Sequence, residues 1–516
     1  MNNRTAWETA AEAQGTTESE RVLTRLARKA FLSLWSYPNV YSDEGRVGGK
    51  GDGKELVDLL IVFGNDVLLF SDKHCMFQSD VDIKIAWRRW YKRAIEKSAR
   101  QLAGAEGFLR RFPDRIFVDK TCQTKLPVAL PDSSVARYFL IAVTRGGHDA
   151  ARRYFGGGSS GSIMLNNTID GEAHYAQPFE VGYPLGSRRF VHVLDEVTVD
   201  TLLEELDTVP DLVDYLACKE RYFGTNGVFV HIAGEEELLA RYVCTMDEDR
   251  HTLPEIPTGA ASVLLLEGDW RTYSSSPQRA AKREADRGSY MWDALIEYQA
   301  SFVRAGTAVG FPGESADTID HERILRALAA ERRQTRRELA EHFRFALSKS
   351  EPGKKFARMV LSSGNKSAAY VFLTMPKPSD IDYEEYREIR TASLLAYCHG
   401  IKQRFPFVTE AVGIASEPVS EAISSQDFLY VDLTGELSAE EAATWKAAME
   451  ELDVFQTPPE DLTCFATKDH EFPLPFEFQG PSFYEYGSGI PMNRAERRRM
   501  AREVRREAKQ SNKRKR

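Results

Sequence analysis

KELVDLLIVFGNDVLLFSDK, residues 54–73, sets two apolar runs of strand length on either side of the polar turn Gly64-Asn65-Asp66. That pattern predicts a β-hairpin. Both runs are nearly continuous in Leu, Val, Ile and Phe, the composition of strands covered on two faces and so placed in the middle of a sheet. Four polar side chains interrupt them: Asp58, Ser71, Asp72 and Lys73. Side chains alternate along a strand, so Ser71 and Lys73 share a face and Asp72 points the other way, while the hairpin can bring Asp58 alongside the first two. A carboxylate, a hydroxyl and an ammonium would then surround one small polar site on an apolar sheet.

Upstream, the glycine-rich link GRVGGKGDGK, residues 45–54, separates the hairpin from a segment in which Val22, Leu23, Leu26, Ala30, Leu34 and Trp35 recur at three- and four-residue steps. This spacing predicts a helix starting near Ser19 and ending before Pro38. Residues 1–17 are small and polar without an apolar period, and a disordered start is expected there. Downstream, Trp87, Trp90, Ala94, Ile95, Ala99, Leu102 and Ala105 line one side of a long helix from about Ile85 to Leu109, and strands follow in RIFV and RYFLIAV. The order through residue 144 reads helix, strand, strand, helix, strand, strand, which is an α/β core.

The GGGSSGS segment, Gly156–Ser162, has no Lys-Ser or Lys-Thr at the spacing of a phosphate loop, and a flexible connection is expected instead. Order returns with a strand in RRFVHVLD and a helix in VDTLLEELDTVPDLVDYLACK, placing a first domain at 18–245. Loop signals in LPEIPTG and SSSPQ then precede a charged helix from about His321 to Leu347 and a hairpin of FARMVLSS and SAAYVFLTM. A helix from Glu385 to Phe405 and strands in FVTEAVGIA and DFLYVDL complete a second, α+β domain at 250–455. Residues 456–491, rich in Pro, Phe and Tyr, read as an extended arm, and 492–516 as a basic tail.

A chain of 516 residues exceeds one ordinary core, so two or three domains are expected. Its 42% hydrophobic and 28% charged residues are a globular composition that excludes a fibre or a membrane protein. An apolar run of membrane-spanning length is lacking and the start carries no secretory apolar region, so a cytoplasmic protein is expected. The six cysteines are scattered singly, which predicts free thiols rather than a structural zinc site. From Asn493 to Arg516 there are 12 basic and 3 acidic residues, a balance of +9 that leaves -18 for the rest of a chain of net charge -9. A basic run of this kind suits an anionic partner, nucleic acid first, with a solubilising tail as the alternative.

Phosphodiester cleavage calls for the groups gathered on the hairpin. Mg²⁺ prefers oxygen ligands, keeps several waters and needs only one or two carboxylates. An ammonium beside it can hold the attacking water and offset developing charge. With Glu20 on the first helix, Asp58 in GKELVDLL and Lys73 in LLFSDK, residues 18–120 resemble the restriction-endonuclease-like PD-(D/E)XK superfamily. Its motif is an acid in one strand and (Asp/Glu)-x-Lys in the next, often preceded by a helical Glu. The resemblance implies a mixed central sheet flanked by helices. It also implies a catalytic group of Asp58, Lys73, Glu20 and Ser71, and a Mg²⁺ or Mn²⁺ ion held by Asp58, Glu20, Glu55 and the backbone carbonyl of Asp72. Ser71 departs from the motif, which has Asp, Glu or in some branches Gln at its place.

The expected function is a Mg²⁺-dependent endonuclease acting on DNA, with RNA as the other substrate, in bacterial antiviral defence or genome maintenance. The alternative is an inactive nuclease-fold scaffold that binds nucleic acid or a partner. Arg88, Arg89, Lys92 and Arg93, interleaved with Trp87, Trp90 and Tyr91, and Arg497, Arg498 and Arg499 in the tail are the expected phosphate contacts. His74 follows the motif and either touches substrate or lies on the surface. The second domain is assigned substrate recognition or protein interaction, and self-association stays open. The competing structural roles are a buried hydrogen-bonding Asp58, a solvent-reaching Lys73, a helix-dipole acid at Glu20 and a solvated basic helix face.

Overall fold

In the computed structural model the described residues are 6–46, 48, 50–156, 160–186, 189–247, 250–310, 318–349, 353–419, 425–455, 470–474 and 483–485. The basic tail with Arg497, Arg498 and Arg499, and most of the 456–491 arm, lie outside them.

Helix α1 (Ala6–Glu12) occupies the expected disordered start. It is held because Trp7 packs near Tyr37, ring centroids 6.5 Å apart, and because the Arg28 guanidinium donates to the carbonyls of Ala10 and Ala13 at 3.1 and 2.8 Å. Helix α2 (Glu18–Phe31) begins at a capping box on Thr17 and ends at Leu32, whose φ of 67° turns the chain out of the helix earlier than expected. A short 3₁₀ turn then leads into β1 (Ser36–Ser42), a strand that the sequence reading missed. Pro38 lies where β1 is near the edge of the sheet: among the described residues β4 (Ile116–Phe117) pairs with β1 only at Tyr41 and Ser42, and strand prolines are confined to such edges.

The hairpin forms as β2 (Lys54–Phe63) and β3 (Asp66–His74), paired from Leu59–Phe70 to Phe63–Asp66. Every residue from Leu56 to Phe63 is buried, and each such Leu, Ile, Val or Phe contributes roughly 1.5–3 kcal/mol. Burial on consecutive residues demands cover on both faces. It comes from α2 and from a long helix made of α3 (Ile83–Tyr91), a π-helical turn (Lys92–Glu96) and α4 (Lys97–Arg111). With β5 (Arg137–Arg145) and β8 (His192–Asp195) the first sheet has the order β4-β1-β2-β3-β5-β8, antiparallel through β3 and parallel beyond it. The protein is thus a mixed α/β fold.

Helix α5 (His148–Tyr154) follows β5, and its neighbour segment 157–159, at the heart of the glycine-rich link, is outside the described residues. The single helix expected over 199–219 is two, α6 (Glu196–Glu205) and α7 (Val209–Phe223). Thr208 caps the second and Pro210 sits in its first turn, which is where proline fits. A second sheet, β17-β12-β9-β6-β7, joins β6 (Met164–Asp170), β7 (Glu180–Tyr183), β9 (Phe229–Ile232), β12 (Ser262–Leu265) and β17 (Phe483–Glu485). Helix α8 (Glu235–Val243) and the ribbon β10 (Met246–Asp247) and β11 (Arg250–His251) link β9 to β12. Because β9 and β12 pair in parallel, the sheet crosses the domain boundary expected between residues 245 and 250.

Helices α9 (Asp269–Ser274), α10 (Pro277–Asp286), α11 (Tyr290–Ala305), α12 (Thr318–Ala329) and α13 (Arg333–Ser348) follow, the last two replacing one expected charged helix. Buried polar contacts tie them to the first sheet's body: the indole of Trp35 donates to Glu322 at 2.7 Å and Arg333 donates to Asp207 at 2.8 Å. The third sheet, β13 (Phe356–Leu361), β14 (Ala368–Thr374), β15 (Glu410–Ser416) and β16 (Gln426–Asp432), is antiparallel except for the β14–β15 pair. Its two faces differ. Tyr370 and Phe372 belong to the large core shared with the first body, whereas Ala369, Val371 and Leu373 face a separate core under α14 (Tyr383–Arg404) and α15 (Ala439–Glu451).

Helix α14 can lie on β15 only because position 413 has no side chain: a Cβ there would stand 2.7 Å from Leu394 Cγ. Replacing Gly413 by Val is expected to cost about 1–3 kcal/mol through overpacking. The urea midpoint of the variant checks this, and an unchanged midpoint would refute the close approach.

Candidate active site

The Asp58 carboxylate is buried to 2% exposure, so its lone pairs need donors. Two come from the neighbouring strand: the backbone N–H of Asp72 donates to Oδ2 at 2.5 Å and Lys73 Nζ lies 3.3 Å from the same oxygen. Oδ1 has no hydrogen bond from the described residues. Burial raises the carboxyl from its ordinary value of 3.8, Lys73 and the Asp72 N–H oppose this, and Glu20 adds to it.

Ser71 is fully buried, one residue beyond the Leu59–Phe70 pair at which the ladder ends, and among the described residues its Oγ has no hydrogen-bond partner. Asp72 points away from Lys73, as strand alternation requires. Both its side-chain oxygens accept from Arg145 Nε, at 2.9 and 3.0 Å, so the Asp72 side chain is taken up by an ion pair. Loss of hydration raises its carboxyl in spite of the guanidinium.

Glu20 reaches the same region from the first turn of α2. Its Oε2 accepts from the N–H groups of Thr16 and Thr17 at 2.8 and 3.2 Å, completing the capping box, and from Asn39 Nδ2 at 3.2 Å. Burial pushes the Glu20 carboxyl up, but the Thr17, Asn39 and Thr16 donors outweigh it and hold it below the usual range. The same Asn39 nitrogen donates to Glu55 Oε1 at 2.7 Å. Glu55 is an exposed residue, yet its carboxyl is raised, first by loss of hydration and then by the charges of Asp58 and Glu20, against the Asn39 hydrogen bond. The fold therefore gathers Glu20, Glu55, Asp58 and Lys73 around one corner of the sheet, with Ser71 beneath.

Arg88, Arg89, Lys92 and Arg93 stand apart on the exposed side of the α3 helix and its π turn. Arg88 and Lys92 lie over the Tyr175 ring, 4.9 and 4.7 Å from its centroid. The aromatics expected to interleave with them are buried instead: the Trp87 and Trp90 indoles donate to the carbonyls of His174 and Cys75, both at 2.6 Å, and Tyr91 stacks on His174. They are core residues because the helix turns its apolar face to the sheet, so base stacking on them is ruled out. His74 is exposed at the end of β3. A cavity of about 190 Å³ lies away from Asp58, between the Asp66 hairpin turn, Asp214 of α7 and Tyr370; of its four acids, Asp66 and Asp214 are paired with Arg137 and Arg332, while Glu331 and Glu410 accept from Tyr370 and Asn365.

Asn39 and Arg145 escaped the sequence reading. Asn39 follows Pro38, beyond the expected end of the first helix, in a stretch to which the sequence assigns no element. Arg145 could have been sought, since an Asp72 facing the apolar interior needs a cation. Among the described residues no three His, Cys, Asp or Glu side chains form a ready metal cage, and no helix is long and apolar enough to cross a membrane. Comparison of the chain with protein-family models, with curated proteins and with solved structures gives no match.

Two stability outcomes follow from this geometry. The Asp58 carboxyl titrates higher in the fold than in the unfolded chain, so the stability it lends is present below 3.8 and is lost as pH rises through the folded value. Asp58→Asn should therefore unfold at an equal or higher temperature than the parent at pH 7, an advantage that disappears in acid; a clear loss at pH 7 would contradict it. Arg145→Ala strands a buried carboxylate and should cost about 3 kcal/mol at neutral pH. The loss should shrink as acid protonates Asp72, which denaturant titrations at pH 7 and pH 4.5 would reveal.

Proposed function

We propose that this protein is a metal-dependent nuclease of the restriction-endonuclease-like type, hydrolysing phosphodiester bonds in DNA. The observation that carries the reading is the Asp58–Lys73 pair, 3.3 Å apart on adjacent antiparallel strands, with Glu20 brought in from the preceding helix. The order α2-β1-β2-β3-α3/α4-β4-β5, with β5 parallel to β3, supports it because this is the arrangement in which a helical acid, a strand acid and a strand-end lysine meet.

The donors fit a hard cation. Among the described residues Asp58 Oδ1 accepts no hydrogen bond and Ser71 Oγ is buried without a partner, and both are oxygens, which Mg²⁺ or Mn²⁺ prefers. Asp58, with Glu55 and Glu20 through water, would hold the ion. Such an ion, when bound, polarises the phosphate and lowers the pKa of a coordinated water. Lys73 is placed to orient that water and to offset the charge that develops on the phosphoryl oxygens. Asp72 contributes its N–H to Asp58 and its side chain to the sheet, and its carbonyl remains the one group of Asp72 left for the metal.

A second reading, a nuclease-fold scaffold without catalysis, is favoured by Ser71. A hydroxyl there replaces the second acid, and a serine binds a divalent ion more weakly than a carboxylate. DNA is the first partner for either reading, with RNA behind it, and a role in bacterial defence or genome maintenance accompanies the nuclease reading.

Incubation of the purified protein with plasmid and linear DNA in Mg²⁺ or Mn²⁺ separates the two. Cleavage is expected, reduced at least about 100-fold by Asp58→Ala and by Lys73→Ala, in line with the loss of a transition-state electrostatic group. No cleavage by the parent protein, or cleavage that survives both substitutions, would overturn the nuclease reading.

A further inference from the structure

Glu20 and Glu55 come from different elements and carry like charge, so something must hold them together against their repulsion. Among the described residues the side chain that touches both is Asn39. Its Nδ2 donates to Glu20 Oε2 at 3.2 Å and to Glu55 Oε1 at 2.7 Å, using both amide hydrogens. The orientation of the amide follows from these acceptors, since the opposite flip would set its oxygen against two carboxylates. Asn39 is 5% exposed, and among the described residues its buried Oδ1 has no hydrogen-bond partner. Its backbone has φ of 48°, in the left-handed region, where asparagine is among the few residues accommodated readily. A bulge interrupts the β1–β2 register just after it, between Val40 and Tyr41. Chain geometry, side-chain bonding and burial converge on one residue that neither the hydrophobic core nor the sheet ladder requires to be polar.

We propose that Asn39 is a positioning residue of this site, whose amide ties Glu20 of the first helix and Glu55 of the second strand into one carboxylate pair beside Asp58. The inference rests on the nuclease reading above and adds to it a residue that acts through the acids rather than on the substrate. With the amide in place, two oxygens that would otherwise splay apart stay on the Asp58 side of the sheet, where they would help to hold a divalent ion. Without it, Glu55 is free to swing into solvent and Glu20 retains only its capping bonds. Loss of a residue that hydrogen-bonds and orients a metal's ligands typically changes metal affinity by about 10- to 100-fold.

Asn39→Gly removes the amide and keeps the backbone freedom that the positive φ demands. Asn39→Asp keeps the shape and replaces the donor with a fourth carboxylate beside Glu20, Glu55 and Asp58. Circular dichroism and thermal melting on the full chain first confirm that both fold. The measurements are Mn²⁺ binding by isothermal titration calorimetry and the Mn²⁺ dependence of DNA cleavage. In the Asn39→Gly variant we expect Mn²⁺ affinity to fall at least about tenfold, with cleavage lost at low Mn²⁺ and largely restored at saturating Mn²⁺. That restoration separates positioning from a general packing defect. Asn39→Asp should also show altered Mn²⁺ affinity, in either direction, since it exchanges a donor for a potential ligand. Unchanged affinity and unchanged Mn²⁺ dependence in a folded Asn39→Gly variant would overturn the assignment of Asn39 while leaving the nuclease reading intact. A parent protein that neither binds Mn²⁺ nor cleaves DNA would overturn both.

Discussion

A carboxylate at 2% exposure in a strand otherwise built of Leu, Val, Ile and Phe is the constraint around which the first sheet is organised. Asp58 can remain there only if donors reach it, and the nearest are the Asp72 N–H and Lys73 of the adjoining strand. Those contacts hold for one register. A slip by one residue would turn Lys73 and Ser71 to the far face and bring Asp72 to the near one, leaving the carboxylates facing each other without a cation. The polar groups of the hairpin therefore specify the pairing that its apolar residues stabilise.

The same logic passes outward from the hairpin. Asp72, forced to the opposite face, requires Arg145, and Arg145 lies at the end of β5, paired in parallel beside β3. Glu20 caps α2 while also reaching Asn39 on β1, which links the helix N-terminus to the strand that leaves its C-terminus. Each buried acid has drawn a partner from a different element. A sheet held only by aliphatic packing would tolerate several arrangements of helices, whereas one threaded by charged contacts tolerates few. The cost of these buried charges falls at the corner where they gather.

Much of this was legible in the amino-acid sequence, and the limits have particular causes. The hairpin and the long helix after it could be read because their apolar periods are unambiguous and their turn residues stand where the turns are. Asp58 and Lys73 could be picked out because a charged residue in an apolar strand is conspicuous. The strand Ser36–Ser42 could not, since Pro38 signals the end of a helix and only a position at a partly uncovered edge makes a proline acceptable in a strand. The helix breaks at Leu206–Thr208 and at Ala330–Arg332 were hidden because charged and apolar residues keep a helical rhythm across them. The aromatic residues of α3 could be seen, but whether Trp87 and Trp90 faced a ligand or a core depended on which side the sheet lay.

By itself the sequence determined the α/β character of the first unit, the strand hairpin at its centre and the polar residues within that hairpin. Periodicity and alternation are local properties, written in consecutive residues. The tertiary structure alone decided that Glu20, Asn39 and Glu55 meet, that Asp72 belongs to Arg145, and that β9 and β12 carry one sheet across an expected boundary. Those are contacts between residues far apart in the chain, and their partners are set by the packing of whole elements, which no local pattern encodes.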